Sequence, residues 1–186
     1  MLRYLITDRQ SAVGLDQLVK CIQRAIDVGV EQVQIREKDL TARQLMALIA
    51  ALDRKHARIL VNGRMDVALA SGADGVHLPS DSPAPSFFRR LAPAGFLIGV
   101  SCHSVQQVLL AEQGGADFTV LGPIFATPSK LAYGEPLGLR VLHEAAHSAA
   151  IPVFALGGVN DTNREACQRA GARGIAGIRL FQGRFG

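Results

Sequence analysis

The sequence predicts a (β/α)₈ TIM barrel, and three observations predict it. Short β-branched runs alternate with helical patterns, eight of the first and seven of the second. The strand candidates lead into Gly, Asn, Asp or Ser, as strands entering βα loops tend to. The phrases ALASGADGVHL, AEQGGADFTVL and CQRAGARGIAGI each run from a helix end through a Gly-Ala turn into a strand, so the repeating unit is α-turn-β. A flavodoxin-like open sheet is the alternative, but such sheets have fewer strands than eight.

In chain order the strands are expected at Tyr4–Thr7, Gln32–Arg36, Ile59–Asn62, Gly75–Leu78, Leu97–Ser101, Phe118–Leu121, Val153–Leu156 and Ile175–Leu180. Helices are expected near Leu15–Val28, Ala42–His56, Asp66–Ser71, Ser86–Leu91, Val105–Gly114, Arg140–Ser148 and Asn163–Ala170. At 186 residues the chain allows one domain, residues 1–186, and is short for a barrel, whose usual lower bound is about 200. Only FQGRFG follows the expected last strand, so no full eighth helix is expected. A second copy of the chain, in a homodimer, or the chain's own short termini are expected to cover that face.

Composition narrows the function. With 48% hydrophobic and 19% charged residues the chain can bury a large interior, which excludes intrinsic disorder. No apolar run approaches the ~18 residues of a membrane helix, and the N-terminus reaches Asp8 and Arg9 before a signal-peptide core could form. A soluble cytoplasmic protein is expected. A net charge of +4, without a basic run and with 5% aromatics, argues against nucleic acid and suits small anions, although surface cations explain it equally well. Cys21, Cys102 and Cys167 are widely spaced and give neither a disulfide frame nor a zinc site.

Barrel active sites are built at the C-terminal strand ends. Strand two ends QIREK, where alternation puts Gln34 and Arg36 on the inward face with Lys38 in the loop above. An inward charge must be paired or meet a ligand, so Arg36 either closes an ion pair with a Glu or binds an anion. Asn62 can orient a heterocycle, and Gly63 can simply make the turn after it. His77 lies inside or at the rim and reads as a core histidine; Asp81 and Ser82 follow in the loop. Ser101 and His103 share one face and Cys102 takes the other, with no sign of a Ser–His dyad or a nucleophilic thiol. The longest connection, ATPSKLAYGEPLG, carries Thr127, Ser129 and Lys130, donors suited to a diphosphate or a carboxylate, or else a solvated loop. Gly157, Gly158, Gly174 and Gly177 fall in the two segments where barrels commonly hold phosphate.

From YLITD to GIRLF the chain resembles the thiamine-phosphate synthase and TenI superfamily. QIREK, VNGRMDVALASGADGVHLP, IGVSCHS, ADFTVLGPIFATPSK and IPVFALGGV stand in the family's order and at about its spacing. The resemblance implies a (β/α)₈ barrel that joins hydroxymethylpyrimidine diphosphate to thiazole phosphate with loss of pyrophosphate. It implies that Gln34, Arg36 and Lys38 contact pyrophosphate and pyrimidine, that Asn62 binds the diphosphate and that Ser101 touches the pyrimidine. Thr127, Ser129 and Lys130 resemble the family's Thr-x-Thr-Lys loop, and Gly157, Gly158, Ile178 and Arg179 its thiazole-phosphate cradle. Arg36, Ser101 and Lys130 are the residues expected to carry catalysis.

Two departures stand beside the likeness. Synthases hold Mg²⁺ with two aspartates whose positions read Gly63 and Ser82 here, so the ion would rest on phosphate oxygens, water and a shifted Asp81. TenI-type tautomerases carry a histidine after the strand-six Gly, where this chain has Pro123; His103 is the remaining proton carrier near that rim. Three functions are therefore expected in order: a synthase-like transferase, a thiazole-phosphate tautomerase, and a non-catalytic binder of thiazole or thiamine phosphate.

Overall fold

The computed structural model describes residues 1–9, 14–127 and 135–178. Eight parallel strands follow one another as a closed barrel in the order β1 to β8. They are β1 (Leu2–Ile6), β2 (Gln32–Ile35), β3 (Arg58–Asn62), β4 (Gly75–Leu78), β5 (Leu97–Cys102), β6 (Phe118–Leu121), β7 (Val153–Leu156) and β8 (Gly174–Gly177). The helices between them are α1 (Leu15–Asp27), α2 (Ala42–Ala50), α3 (Met65–Ala70), α4 (Pro85–Arg89), α5 (Val105–Gln113), α6 (Gly138–Ser148) and α7 (Arg164–Arg169). Every expected strand and helix is present. The last strand is described only to Gly177, and residues 179–186, where an eighth helix would follow, lie outside the described residues.

The chain divides into two compact units, one built mainly on residues 2–77 and the other mainly on 98–176. In the first, β1, β2, β3 and β4 pair in register, with Ile6 beside Gln34, Gln34 beside Leu60, and Asn62 beside His77. Side chains alternate across a strand, so Tyr4, Gln34, Leu60, Asn62 and His77 share the inner face. Val33, Ile35, Ile59, Val61 and Val76 take the outer face and are buried with Leu18, Ile22 and Ile26 of α1 and Leu45, Leu48 and Ile49 of α2. Thr41 caps α2 with a full capping box, its hydroxyl taking Gln44 N–H while the Gln44 side chain takes Thr41 N–H.

Sequence periodicity carries α2 on to His56, but the helix stops at Ala50. The Asp53 N–H is held instead by Gln23 Oε1 at 3.0 Å, and Lys55 has φ +48°, which no helix accommodates. Strand two stops one residue short of expectation, because Arg36 N–H bonds Thr7 Oγ1 at 2.9 Å rather than a strand carbonyl.

In the second unit, β5, β6, β7 and β8 pair in the same sense. Cys102, Leu121, Val153 and Ala155 pack with Val108, Leu142 and Cys167 into the core beneath α5, α6 and α7. Burial pushes the Cys102 thiol up to about 12, which keeps it an inert core residue. The opposite strand face carries Phe118 and Phe154, whose rings tilt against each other at 5.4 Å. Gly99 lacks a Cβ where the Phe118 ring passes, so that ring comes close to β5 two residues before Ser101.

Candidate active site

The first unit brings Tyr4, Gln34 and His77 together. Gln34 Nε2 donates to the Tyr4 hydroxyl at 3.2 Å, and that hydroxyl lies 3.1 Å from His77 Nδ1. Gln34 is 2% exposed and His77 1%, so these are interior polar groups that need each other. Burial, with the Arg36 guanidinium as a lesser cause, pushes His77 down to about 3, and burial pushes the Tyr4 phenol far up. Both are neutral at physiological pH.

Arg36 stands half-buried at the end of β2, and among the described residues it forms no ion pair. Of the two alternatives for Arg36, a Glu partner is not found among the described residues: Glu37 is buried, its Oε2 accepting Arg9 N–H at 2.9 Å. Burial raises the Glu37 pKa and the Thr7 hydroxyl counters it. Arg9 also pairs with Asp39, so the loops after β1 and β2 are tied together. Lys38 is exposed, and it shares with Glu37, Leu40, Asn62, Gly63 and Arg64 a cleft of about 230 Å³ beside the ends of β2 and β3. Gly63 makes its turn with φ +65°, and its N–H bonds the His77 carbonyl at 2.8 Å. Arg64 is consumed by a two-pronged pair with Asp66 at 2.6 and 2.8 Å.

In the second unit Ser101 is half-buried at the end of β5, and His103 Nδ1 lies 2.6 Å from the Gly122 carbonyl. A carbonyl only accepts, so Nδ1 carries the proton and Nε2 is the basic nitrogen. Gly157 and Gly158, with φ +93° and +64°, follow β7 directly. A Cβ on Gly157 would come within 2.6 Å of Pro123 Cβ, and one on Gly158 within 2.7 Å of Phe125 Cβ. Both glycines are thus required by conformation and by close approach to the segment after β6. Phe125 N–H bonds the Gly157 carbonyl at 3.0 Å, and Asn163 Nδ2 bonds that of Gly158 at 2.9 Å. Thr127 is half-buried. In the first unit, Ile178 is half-buried just after β8. Ser129, Lys130 and Arg179 lie outside the described residues.

Residues 3–181 match the model of the family described as thiamine monophosphate synthase. This chain belongs to that family. A protein of Geobacter sulfurreducens named "Putative thiamine-phosphate synthase" is 48% identical over 177 residues, 93% of this chain and 83% of the relative. The thiamine-phosphate synthase of Methanospirillum hungatei is 39% identical over 179 residues, 94% of this chain and 86% of the relative. Among solved structures, the thiamine phosphate pyrophosphorylase of Pyrococcus furiosus superposes with a TM-score of 0.85 at 32% identity, covering 98% of this chain and 87% of that one.

In this member of the thiamine monophosphate synthase family, the two positions expected to carry the Mg²⁺ aspartates lack carboxylates. Gly63 and Ser82 bring none, Asp81 is exposed, and the described residues contain no group of three or more His, Cys, Asp or Glu side chains able to hold a metal ion. Sequence reasoning passed over Tyr4, His77's partner, because YLIT reads as an apolar strand. It also passed over Glu37, which sits within QIREK. The only local signal for Tyr4 was a hydroxyl on a strand too buried to leave it unbonded.

Proposed function

We propose that the chain is a cytoplasmic enzyme of thiamine biosynthesis that joins hydroxymethylpyrimidine diphosphate to thiazole phosphate and releases pyrophosphate. The observation that carries the reading is Arg36, a half-buried guanidinium without an ion pair among the described residues, one step above the buried Gln34 in a chain of this family. When the bond between the pyrimidine methylene and the diphosphate breaks, the electron pair leaves on oxygen and the thiazole nitrogen supplies the new bond to carbon. Charge grows on the departing pyrophosphate, where fixed cations stabilise the transition state more than the ground state. Arg36, Lys38 and Lys130 are assigned that role, with Asn62, Thr127 and Ser129 as its hydrogen-bonding partners. Gln34 and Ser101 hold the pyrimidine. Gly157 and Gly158, with Ile178 and Arg179, hold the thiazole phosphate. A homodimer is the proposed assembly.

A second reading, thiazole-phosphate tautomerisation, is favoured by His103. The Gly122 carbonyl fixes its tautomer next to Pro123, the position of the family's tautomerase histidine, and leaves Nε2 able to move a proton. Calorimetric titration with thiazole phosphate, then with a pyrimidine diphosphate analogue, each with and without Mg²⁺, separates the readings. The synthase binds both; binding of thiazole phosphate alone, indifferent to Mg²⁺, leaves the tautomerase or a silent binder.

A further inference from the structure

We infer that His143 and His147, one helical turn apart on α6, form a surface site for a divalent transition-metal ion of the class that suits imidazole nitrogen, namely Zn²⁺, Ni²⁺ or Cu²⁺. The site is separate from the one proposed for the phosphorylated heterocycles. α6 ends at Ser148 and β7 begins at Val153, so the pair lies toward the start of β7, whereas Gly157 and Gly158 follow its other end.

Residues four apart stand on one face of a helix, and both histidines are exposed. Their ring centroids are 3.9 Å apart with a tilt of 38°. Two nitrogens bound to one Zn²⁺ at about 2.0–2.1 Å stand about 3 Å apart, a separation that rings this close can supply. His147 is held as a ligand needs to be held. Its Nδ1 lies 2.8 Å from the His143 carbonyl, which only accepts, so the proton is on Nδ1 and the lone pair on Nε2. Metal-bound histidines almost always make such a bond through the second nitrogen, because it fixes the tautomer and the ring orientation. The turn after α7 leaves room for the same ring: a Cβ on Gly171 would lie 2.9 Å from His147 Cε1 and 3.3 Å from Nδ1. Among the described residues no other hydrogen bond is made by either ring, so the nitrogens that would bind the ion are open. His147 also lies in the last turn of α6, where the negative end of the helix dipole favours a cation. Water completes the coordination of an ion held by two exposed side chains. Mg²⁺, which keeps oxygen ligands, does not suit this pair.

Two measurements test this. In the first, protein without an affinity tag is titrated by calorimetry with Zn²⁺ alone and with Ni²⁺ alone, and again in excess Mg²⁺. One equivalent of Zn²⁺ or Ni²⁺ per chain is expected, with an affinity that Mg²⁺ leaves unchanged. His143→Gln and His147→Gln are expected to keep the fold by circular dichroism and to weaken binding by at least about 10-fold each. Cys21→Ser removes the one thiol that is not buried and is expected to leave binding as it was. Undiminished binding in either histidine variant, loss of binding in Cys21→Ser, or no saturable binding of Zn²⁺ or Ni²⁺ by wild type overturns the inference. In the second, NMR of histidine-labelled wild type follows the ring signals as paramagnetic Ni²⁺ is added below one equivalent. His143 and His147 are expected to broaden before His56, His77 and His103; broadening first at any of those three overturns the inference. The NMR measurement needs no variant, so it decides the matter if a substituted chain does not fold.

Discussion

Replacing Gly157 by alanine is a sharp test of how the second unit is built. The residue holds φ +93°, where an L side chain costs about 1–2 kcal/mol. Its new Cβ would also lie 2.6 Å from Pro123 Cβ and 2.7 Å from Pro123 Cα, so either the turn after β7 or the chain after β6 must shift. Overpacking of that kind costs about 1–3 kcal/mol. The sum is about 3.5 kcal/mol, which for a domain of this size lowers Tm by about 7–14 °C. Gly115→Ala is the control, because Gly115 has φ +87° with nothing within 4 Å of its virtual Cβ. It bears the conformational cost alone, about 1–2 kcal/mol. Thermal unfolding by circular dichroism compares the two, with urea midpoints as a check. A Gly157→Ala loss no larger than that of Gly115→Ala would refute the close approach between the β7 turn and Pro123.

Three further predictions follow from the geometry. His77 has its folded pKa near 3 against an ordinary 6.5, so the unfolded chain takes up a proton that the folded chain refuses. Its contribution is complete above pH 6.5 and is lost as pH falls, by about 1.4 kcal/mol per unit; urea midpoints from pH 7 to 4 are expected to fall more steeply in wild type than in His77→Asn, and parallel curves would contradict the burial. Thr41→Ala removes the capping box of α2 and is expected to cost about 1 kcal/mol in urea unfolding. Arg36→Ala and Lys130→Ala are each expected to lower kcat by about 10²- to 10³-fold with the fold intact, and full activity in either would remove it from the stabilisation of pyrophosphate.

The strand count was legible because β-branched runs and turn residues are local signals. The ends of elements were less so, since they are decided by contacts from elsewhere. Nothing within α2 announces that Gln23, 30 residues earlier, will take the Asp53 N–H, and nothing in QIREK announces that Thr7 will take that of Arg36. Alternation alone puts Gln34 on the inner face, where the structure buries it. Tyr4 and His77 are 73 residues apart and meet only because β1 and β4 turn the same face inward. Glycines 157 and 158 drew notice as a phosphate-binding pattern, yet their positive φ and their fit against Pro123 and Phe125 are tertiary facts. The charge of Arg36 was conspicuous from its position, but that it has no carboxylate partner among the described residues is a tertiary fact, as is the bond from Arg9 N–H that Glu37 accepts instead.

The most direct test of the central claim is turnover with both substrates present. Purified protein, hydroxymethylpyrimidine diphosphate and thiazole phosphate are combined with Mg²⁺ or with EDTA, and pyrophosphate and the coupled product are quantified in the same samples. The account predicts that both products rise together in a 1:1 ratio and that omitting either heterocycle abolishes both. No coupled product under either condition, from a folded protein that binds thiazole phosphate, would contradict it.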